Sequence, residues 1–203
     1  MTSGGSYIAH SVARKLGFKY VDREILHKAA EFFKTDTQTL SDREGRMSGV
    51  WESLLGIFRY GTPETAYVPP SGPPVYDKDL FETEARIIRE IARSGNVVIM
   101  GRAGSSILRG RPGLVNVFIH APLDFRVKRM MAFRHNSDER EARTILKESD
   151  RNREEFLRAM AGIDWTDARN YHLCLNTGII SFSDAEEMII RFVEMRRDKA
   201  SLG

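Results

Sequence analysis

Asn96-Val97-Val98-Ile99-Met100-Gly101-Arg102 is the stretch on which the fold turns. Its four apolar residues run without alternation, the pattern of a strand buried on both faces and covered by helices. Val115 to Ile119 repeats that character, and Leu173 to Leu175 repeats it more weakly. Helical stretches precede and separate them. Asp79 to Ser94 carries Leu80, Ala85, Ile87, Ile88, Ile91 and Ala92 on one stripe and stops at Gly95, Pro122 to Arg134 opens on a proline, and Asp138 to Met160 is long and charged. Buried strands separated by helices predict an α/β fold with a parallel, doubly wound sheet.

The flanks extend the pattern. Ile8, Val12, Ala13 and Leu16 form a helical stripe that ends at Gly17, Phe18 to Val21 reads as a short strand, and Ile25, Leu26, Ala29, Ala30 and Phe33 return to helical period. Ser183 to Met195 predicts a closing amphipathic helix, with Ser183 as N-cap and Glu186 completing a capping box. Between Thr35 and Asp79 the composition changes. Gly45, Gly49, Gly56 and Gly61 interrupt it and Pro63, Pro69, Pro70, Pro73 and Pro74 crowd together. This predicts a helical excursion including Val50 to Phe58, then an extended loop from Gly61 to Tyr76, a length associated with function.

The chain has 203 residues, 31 Lys and Arg against 28 Asp and Glu, five His and one Cys. That length suits one domain, residues 1–203, and folding would bury roughly 70% of its extended surface without help from cross-links. Cys174 has no partner, so a disulfide scaffold is excluded. No apolar run approaches the roughly 20 residues of a membrane span, and Met1 to Gly5 is neither basic nor apolar, so a cytoplasmic location without membrane partners is expected. Cys174 and Trp165 are read as packing residues, as is Trp51. The five His form no H-x-x-x-H pair.

The net charge of +3 is concentrated. Arg126 to Arg158 holds ten basic residues against seven acidic ones. No aromatic stacking platform is interleaved with them, so nucleic acid is not the expected partner. Ser3-Gly4-Gly5-Ser6 immediately precedes the first helix, where unpaired N–H groups, small residues and the helix dipole suit a phosphate. A plain serine cap fits the same residues. Gly101-Arg102 follows the carboxyl end of a buried strand, where Arg102 would either fork onto a phosphate or pair with a nearby carboxylate. Asp22 precedes the helix containing Ile25 and suits a cap. Arg151 and Arg153 cluster beside Asp150 in Asp-Arg-Asn-Arg.

Ser-Gly-Gly-Ser-Tyr-Ile-Ala, Leu-Gly-Phe-Lys-Tyr-Val-Asp-Arg-Glu-Ile-Leu, Val-Val-Ile-Met-Gly-Arg, Asp-Arg-Asn-Arg and Tyr-His-Leu-Cys-Leu-Asn-Thr-Gly, in that order, resemble the cytidylate kinase-like family. The resemblance runs over nearly the whole chain. It implies a three-layer, doubly wound parallel sheet of the P-loop nucleoside monophosphate kinase type, with a monophosphate-binding cap at 35–77 and a basic lid at 136–162. The implied reaction moves the γ-phosphoryl group of ATP, with Mg²⁺, to a nucleoside monophosphate of the CMP or dCMP kind. Ser3, Gly4, Gly5 and Ser6 would hold the ATP phosphates, with Ser6 at the Mg²⁺ position. Asp22 would face the acceptor nucleotide and Arg102 its phosphate, while Arg151 and Arg153 would meet the transferring group.

Three positions depart from the family pattern. Gly5 stands where a phosphate-loop Lys is found in a full Walker motif, so an Arg would have to take that part. Ala103 follows Gly101-Arg102 where cytidylate kinases carry Asp, which weakens cytidine selection. Met1 stands almost in the loop, so the expected sheet lacks its first strand and the reading favours a start upstream of Met1. Such a sheet would expose the edges of two strands and favour a homo-oligomer formed by strand exchange or edge pairing. The competing expectation is a nucleotide-binding or interaction protein of the same fold without kinase activity.

Overall fold

In a computed structural model of the chain, residues 2–35, 77–133 and 138–201 are described. The elements are α1 (Gly5–Leu16), β1 (Lys19–Val21), α2 (Arg23–Thr35), α3 (Lys78–Arg93), β2 (Val97–Ile99) and α4 (Gly104–Ile107). After them come β3 (Val117–His120), α5 (Leu123–Phe133), α6 (Glu139–Ala161), a 3₁₀ turn at Ala168–Asn170, β4 (Leu173–Asn176) and α7 (Phe182–Ser201). The excursion and loop expected between Thr35 and Asp79 lie outside the described residues, apart from the helix ends that flank them.

Local chemistry sets the boundaries. α1 ends at Gly17, whose φ of 67° needs no Cβ, and the Phe18 N–H reaches back to the Ala13 carbonyl at 2.8 Å. Asp77 caps α3, its carboxylate accepting the Leu80 N–H at 3.0 Å. α6 closes on Gly162 with φ 64°. At α7 the capping box is Ser181 with Asp184, two residues before the expected pair. The Asp184 N–H donates to Ser181 Oγ at 3.1 Å and the Ser181 N–H donates to Asp184 Oδ2 at 3.3 Å. Glu186 is instead buried, and Lys15 Nζ reaches it at 2.5 Å, joining α1 to α7.

Four short strands form two parallel pairs among the described residues. Lys19, Tyr20 and Val21 stand opposite Val97, Val98 and Ile99, and Val117 to His120 stand opposite Leu173 to Asn176. The expected single doubly wound sheet is thus met in part. The architecture is mixed α/β with parallel strands, divided into β1–β2 and β3–β4. β2 and β3 are half-buried rather than fully buried. Each has one strand neighbour, and the Lys19 N–H to Asn96 carbonyl and Met100 N–H to Val21 carbonyl bonds place the backbone groups of Val97 and Ile99 on the side away from β1.

The core follows the same division. Val21, Ile25, Leu26, Ala29 and Ala30 meet Ile87, Ile88, Ile91 and Ala92 beside β1–β2. Ile8 and Val12 of α1 meet Leu175, Ala185 and Ile189 beside β3–β4. A smaller cluster, Val127 and Met130 with Ala142 and Leu146, joins α5 to α6. Cys174, expected to pack, is exposed. β4 alternates faces, and Leu175 rather than Cys174 turns inward. No helix among the described residues is long and apolar enough to cross a membrane.

Ile88 is wholly buried at the centre of the first cluster. Ile88→Ala is expected to destabilise the fold by about 2–5 kcal/mol, the range for deleting a buried aliphatic side chain, as read from urea denaturation.

Candidate functional site

The start of α1 lies against the carboxyl ends of strands from both pairs. A Cβ on Gly5 would stand 3.2 Å from the Met100 methyl carbon and 3.9 Å from Ile119 Cβ. Gly4, the N-cap, has φ 81° and no side chain caps the helix. The neighbouring hydroxyls are engaged elsewhere. Ser3 Oγ donates to the Ile119 carbonyl at 3.4 Å and Thr2 Oγ1 to the Arg126 carbonyl at 3.1 Å. Buried Thr177 Oγ1 donates to the Ser3 carbonyl at 2.7 Å. These bonds strap the loop to β3 and α5 while leaving the first N–H groups of α1 without a side-chain acceptor, the arrangement that receives an anion.

A cation stands beside this end. The Phe182 ring packs so closely on Gly4 that a Cβ there would come within 2.4 Å of it. The Arg129 guanidinium carbon lies 4.3 Å from the centre of that ring and 5.0 Å from that of Phe133. No group of three His, Cys, Asp or Glu side chains able to hold a metal occurs among the described residues. Mg²⁺ carried on nucleotide phosphates asks for only one or two protein oxygens. The Ser6 hydroxyl, in the first turn of α1 beside the uncapped N–H groups, fits that need.

Arg102 follows β2 in a left-handed turn. Gly101, Arg102 and Ala103 have φ of 80°, 51° and 58°, and the two non-glycine residues bear a strain of about 1–2 kcal/mol each. The guanidinium is held at 2.9 Å by Glu84 of α3, a carboxylate only 1% exposed, and lies over the Phe156 ring of α6 at 5.2 Å. His27 Nδ1 of α2 is 3.8 Å from the same Glu84 oxygen. Of the two uses open to Arg102, pairing with a carboxylate is the one realised here. Burial pushes the Glu84 carboxyl above its ordinary 4.5, against the opposing pull of Arg102, His27 and Arg23.

Arg151 and Arg153 do not converge. Two residues apart on a helix, they diverge by about 200° around the axis. Arg151 is 66% exposed and 4.0 Å from Glu155, one turn along α6. Arg153 instead lies 4.8 Å above the Trp165 ring and 3.8 Å from Asp150. Asp150 takes a two-point ion pair from Arg126 of α5, at 3.0 and 2.7 Å. A continuous chain therefore runs from Thr2 through Arg126 and Asp150 to Arg153. Asp22 caps α2, its Oδ1 accepting the Glu24 and Ile25 N–H groups at 3.0 Å each.

Glu84, Arg126, Arg129 and Asp150 were not singled out by the sequence as site residues. The signal for Glu84 was present: it lies four residues from both Leu80 and Ile88, inside the apolar stripe of α3. Arg126 and Arg129 were visible only as members of a basic run.

The model of the cytidylate kinase-like family matches residues 1–179. The chain belongs to the cytidylate kinase-like family, and nucleotide kinase is its class at family level. A cytidylate kinase of Sulfolobus acidocaldarius is 29% identical over 129 residues, covering 62% of this chain and 70% of that protein. The crystal structure of an uncharacterized protein from Eubacterium ventriosum shares the fold, with a TM-score of 0.69 at 23% identity over 96% of this chain and 94% of that one.

A carboxyl whose folded pKa is raised binds its proton more tightly folded than unfolded, so its contribution to stability falls as pH rises through the interval between the two values. Stability of the natural chain relative to Glu84→Gln is therefore expected to fall as pH rises above about 4.5 and to level off beyond the raised pKa. Denaturant titrations of both proteins across that range check this, and a pH-independent difference contradicts it.

Proposed function

We propose that the chain transfers the γ-phosphoryl group of ATP to a nucleoside monophosphate of the CMP or dCMP kind. The observation that carries this reading is the uncapped, glycine-rich start of α1, set against the carboxyl ends of β2 and β3 beside Arg129. The two strand pairs are read as halves of one doubly wound sheet of the P-loop nucleoside monophosphate kinase type. Residues 35–77 are assigned as the monophosphate cap and 136–162 as the lid, of which α6 is the described part.

The chemistry needs placement and charge neutralisation rather than a covalent residue. The N–H groups at Gly4, Gly5 and Ser6 would bind the ATP phosphates, with Ser3 holding the loop in place. Arg129 takes the part left open by Gly5. Mg²⁺ bound with ATP would neutralise phosphate charge, and the Ser6 hydroxyl would be its protein oxygen. Arg102 would bind the acceptor phosphate and Asp22 would face its nucleoside. Arg153 and Arg151 would approach the transferring group once α6 moves, because in the arrangement described only Arg153 is braced, by Trp165 and Asp150.

A second reading, nucleotide binding without transfer, draws on Gly5 in place of Lys, Ala103, and the engagement of Arg102 with Glu84. A coupled assay with Mg-ATP and a panel of nucleoside monophosphates separates the two. The kinase reading expects Mg²⁺-dependent ADP formation with one or two of the monophosphates, reduced at least 100-fold by Arg153→Ala. Nucleotide binding with no transfer to any of them selects the second reading.

A further inference from the structure

A carboxylate in the middle of a buried helix face calls for an explanation. At Glu84 a small or aliphatic residue would satisfy packing at no electrostatic cost, whereas removing a carboxylate from water costs several kcal/mol unless a partner offsets it. The partner is Arg102, at 2.9 Å. One turn earlier on α3, Phe81 meets the edge of Phe156 with ring centres 5.8 Å apart, and Phe156 lies beneath the Arg102 guanidinium. Glu84 thus pairs with one terminal nitrogen of that guanidinium and Phe156 lies against one of its flat faces, on a backbone turn that is itself strained. A guanidinium has five N–H donors in a planar fork, more than one carboxylate can engage, so pairing with a carboxylate and binding a phosphate are compatible uses of the same group. It has also already lost the rotamer freedom that a loose Arg would surrender on binding.

We propose that Glu84 is a positioning residue for the acceptor phosphate, acting through Arg102. This rests on the assignment of Arg102 to the acceptor phosphate. Glu84 touches neither nucleotide in this account. It holds Arg102 at the end of β2 before the acceptor arrives, and through the Phe156 contact it also places α6, the helix that bears Arg153.

The test is calorimetric titration of CMP and, separately, of Mg-ATP into the natural chain, Glu84→Gln, Glu84→Asp, Arg102→Gln and the Glu84→Gln/Arg102→Gln double variant. Thermal unfolding of each checks that it is folded. Glu84→Gln keeps the shape and removes the charge, and is expected to weaken CMP binding about tenfold, the lower end of what loss of a supporting contact costs. Mg-ATP binding should stay within about twofold of the natural chain, an effect too small to count as loss of a contact. Glu84→Asp, which draws the carboxylate back by one methylene, should fall between the two. The double variant should bind CMP no more weakly than Arg102→Gln alone, because Glu84 acts only through Arg102.

Arg102→Gln weakened while Glu84→Gln and Glu84→Asp bind CMP like the natural chain would overturn the role of Glu84 and leave the acceptor site standing. Additive losses in the double variant, or equal weakening toward CMP and Mg-ATP, would overturn it as well by showing a general structural effect. No CMP binding by the natural chain, or CMP binding unaffected by Arg102→Gln, would remove the acceptor assignment itself and the proposal with it. Should Glu84→Gln fail to fold, Glu84→Asp carries the same comparison.

Discussion

Gly5 lies where two halves of the molecule meet. A Cβ there would press on the Met100 methyl at 3.2 Å and meet Ile119 Cβ at an ordinary 3.9 Å, and Met100 follows one strand pair while Ile119 belongs to the other. Around it, Ser3, Thr2 and Thr177 use their hydroxyls to bind the loop to the ends of β3 and to α5. The consequence for chemistry is direct. Hydroxyls occupied in this way do not cap α1, and the positive end of the helix is left facing the carboxyl ends of the strands, where a phosphate would gain most from it.

From that point two charged chains lead outward. One runs from Thr2 to Arg126, Asp150 and Arg153, and carries the position of the loop to α6. The other runs from β2 through Arg102 to Glu84 on α3 and Phe156 on α6. Both reach the same long helix, from its two neighbours. α6 is bound through Asp150 by an ion pair and through Phe156 by a guanidinium–ring contact.

Much of this was legible in the sequence because it depends on local rules. The helices with glycine stops, the apolar strands and the position of the glycine-rich loop follow from period and punctuation, and the ordered motifs led to the family. What escaped depends on partners distant in the chain. Glu84 stands as a polar gap in an apolar stripe, and its burial is made tolerable by Arg102, 18 positions on, with His27 and Arg23 of α2. Asp150 gained its role from Arg126 across the α5–α6 contact. The half-burial of β2 and β3 goes with one strand neighbour each among the described residues, and the exposure of Cys174 with the face of β4 on which it lies; no short window reveals either. The capping box of α7 was misplaced because Ser181–Asp184 and Ser183–Glu186 satisfy the same spacing, and burial of Glu186 decided between them.

The account stands or falls on the start of α1 as the phosphate site. Titration of the ¹⁵N-labelled chain with Mg-ATP, followed by the backbone amide resonances, examines it at the atoms concerned. The expected result is saturable displacement of the Gly4, Gly5 and Ser6 N–H signals, larger than for amides at the far end of the same helix. If Mg-ATP shifts other residues while those three stay in place, the uncapped helix end is not where phosphate binds and the central claim fails.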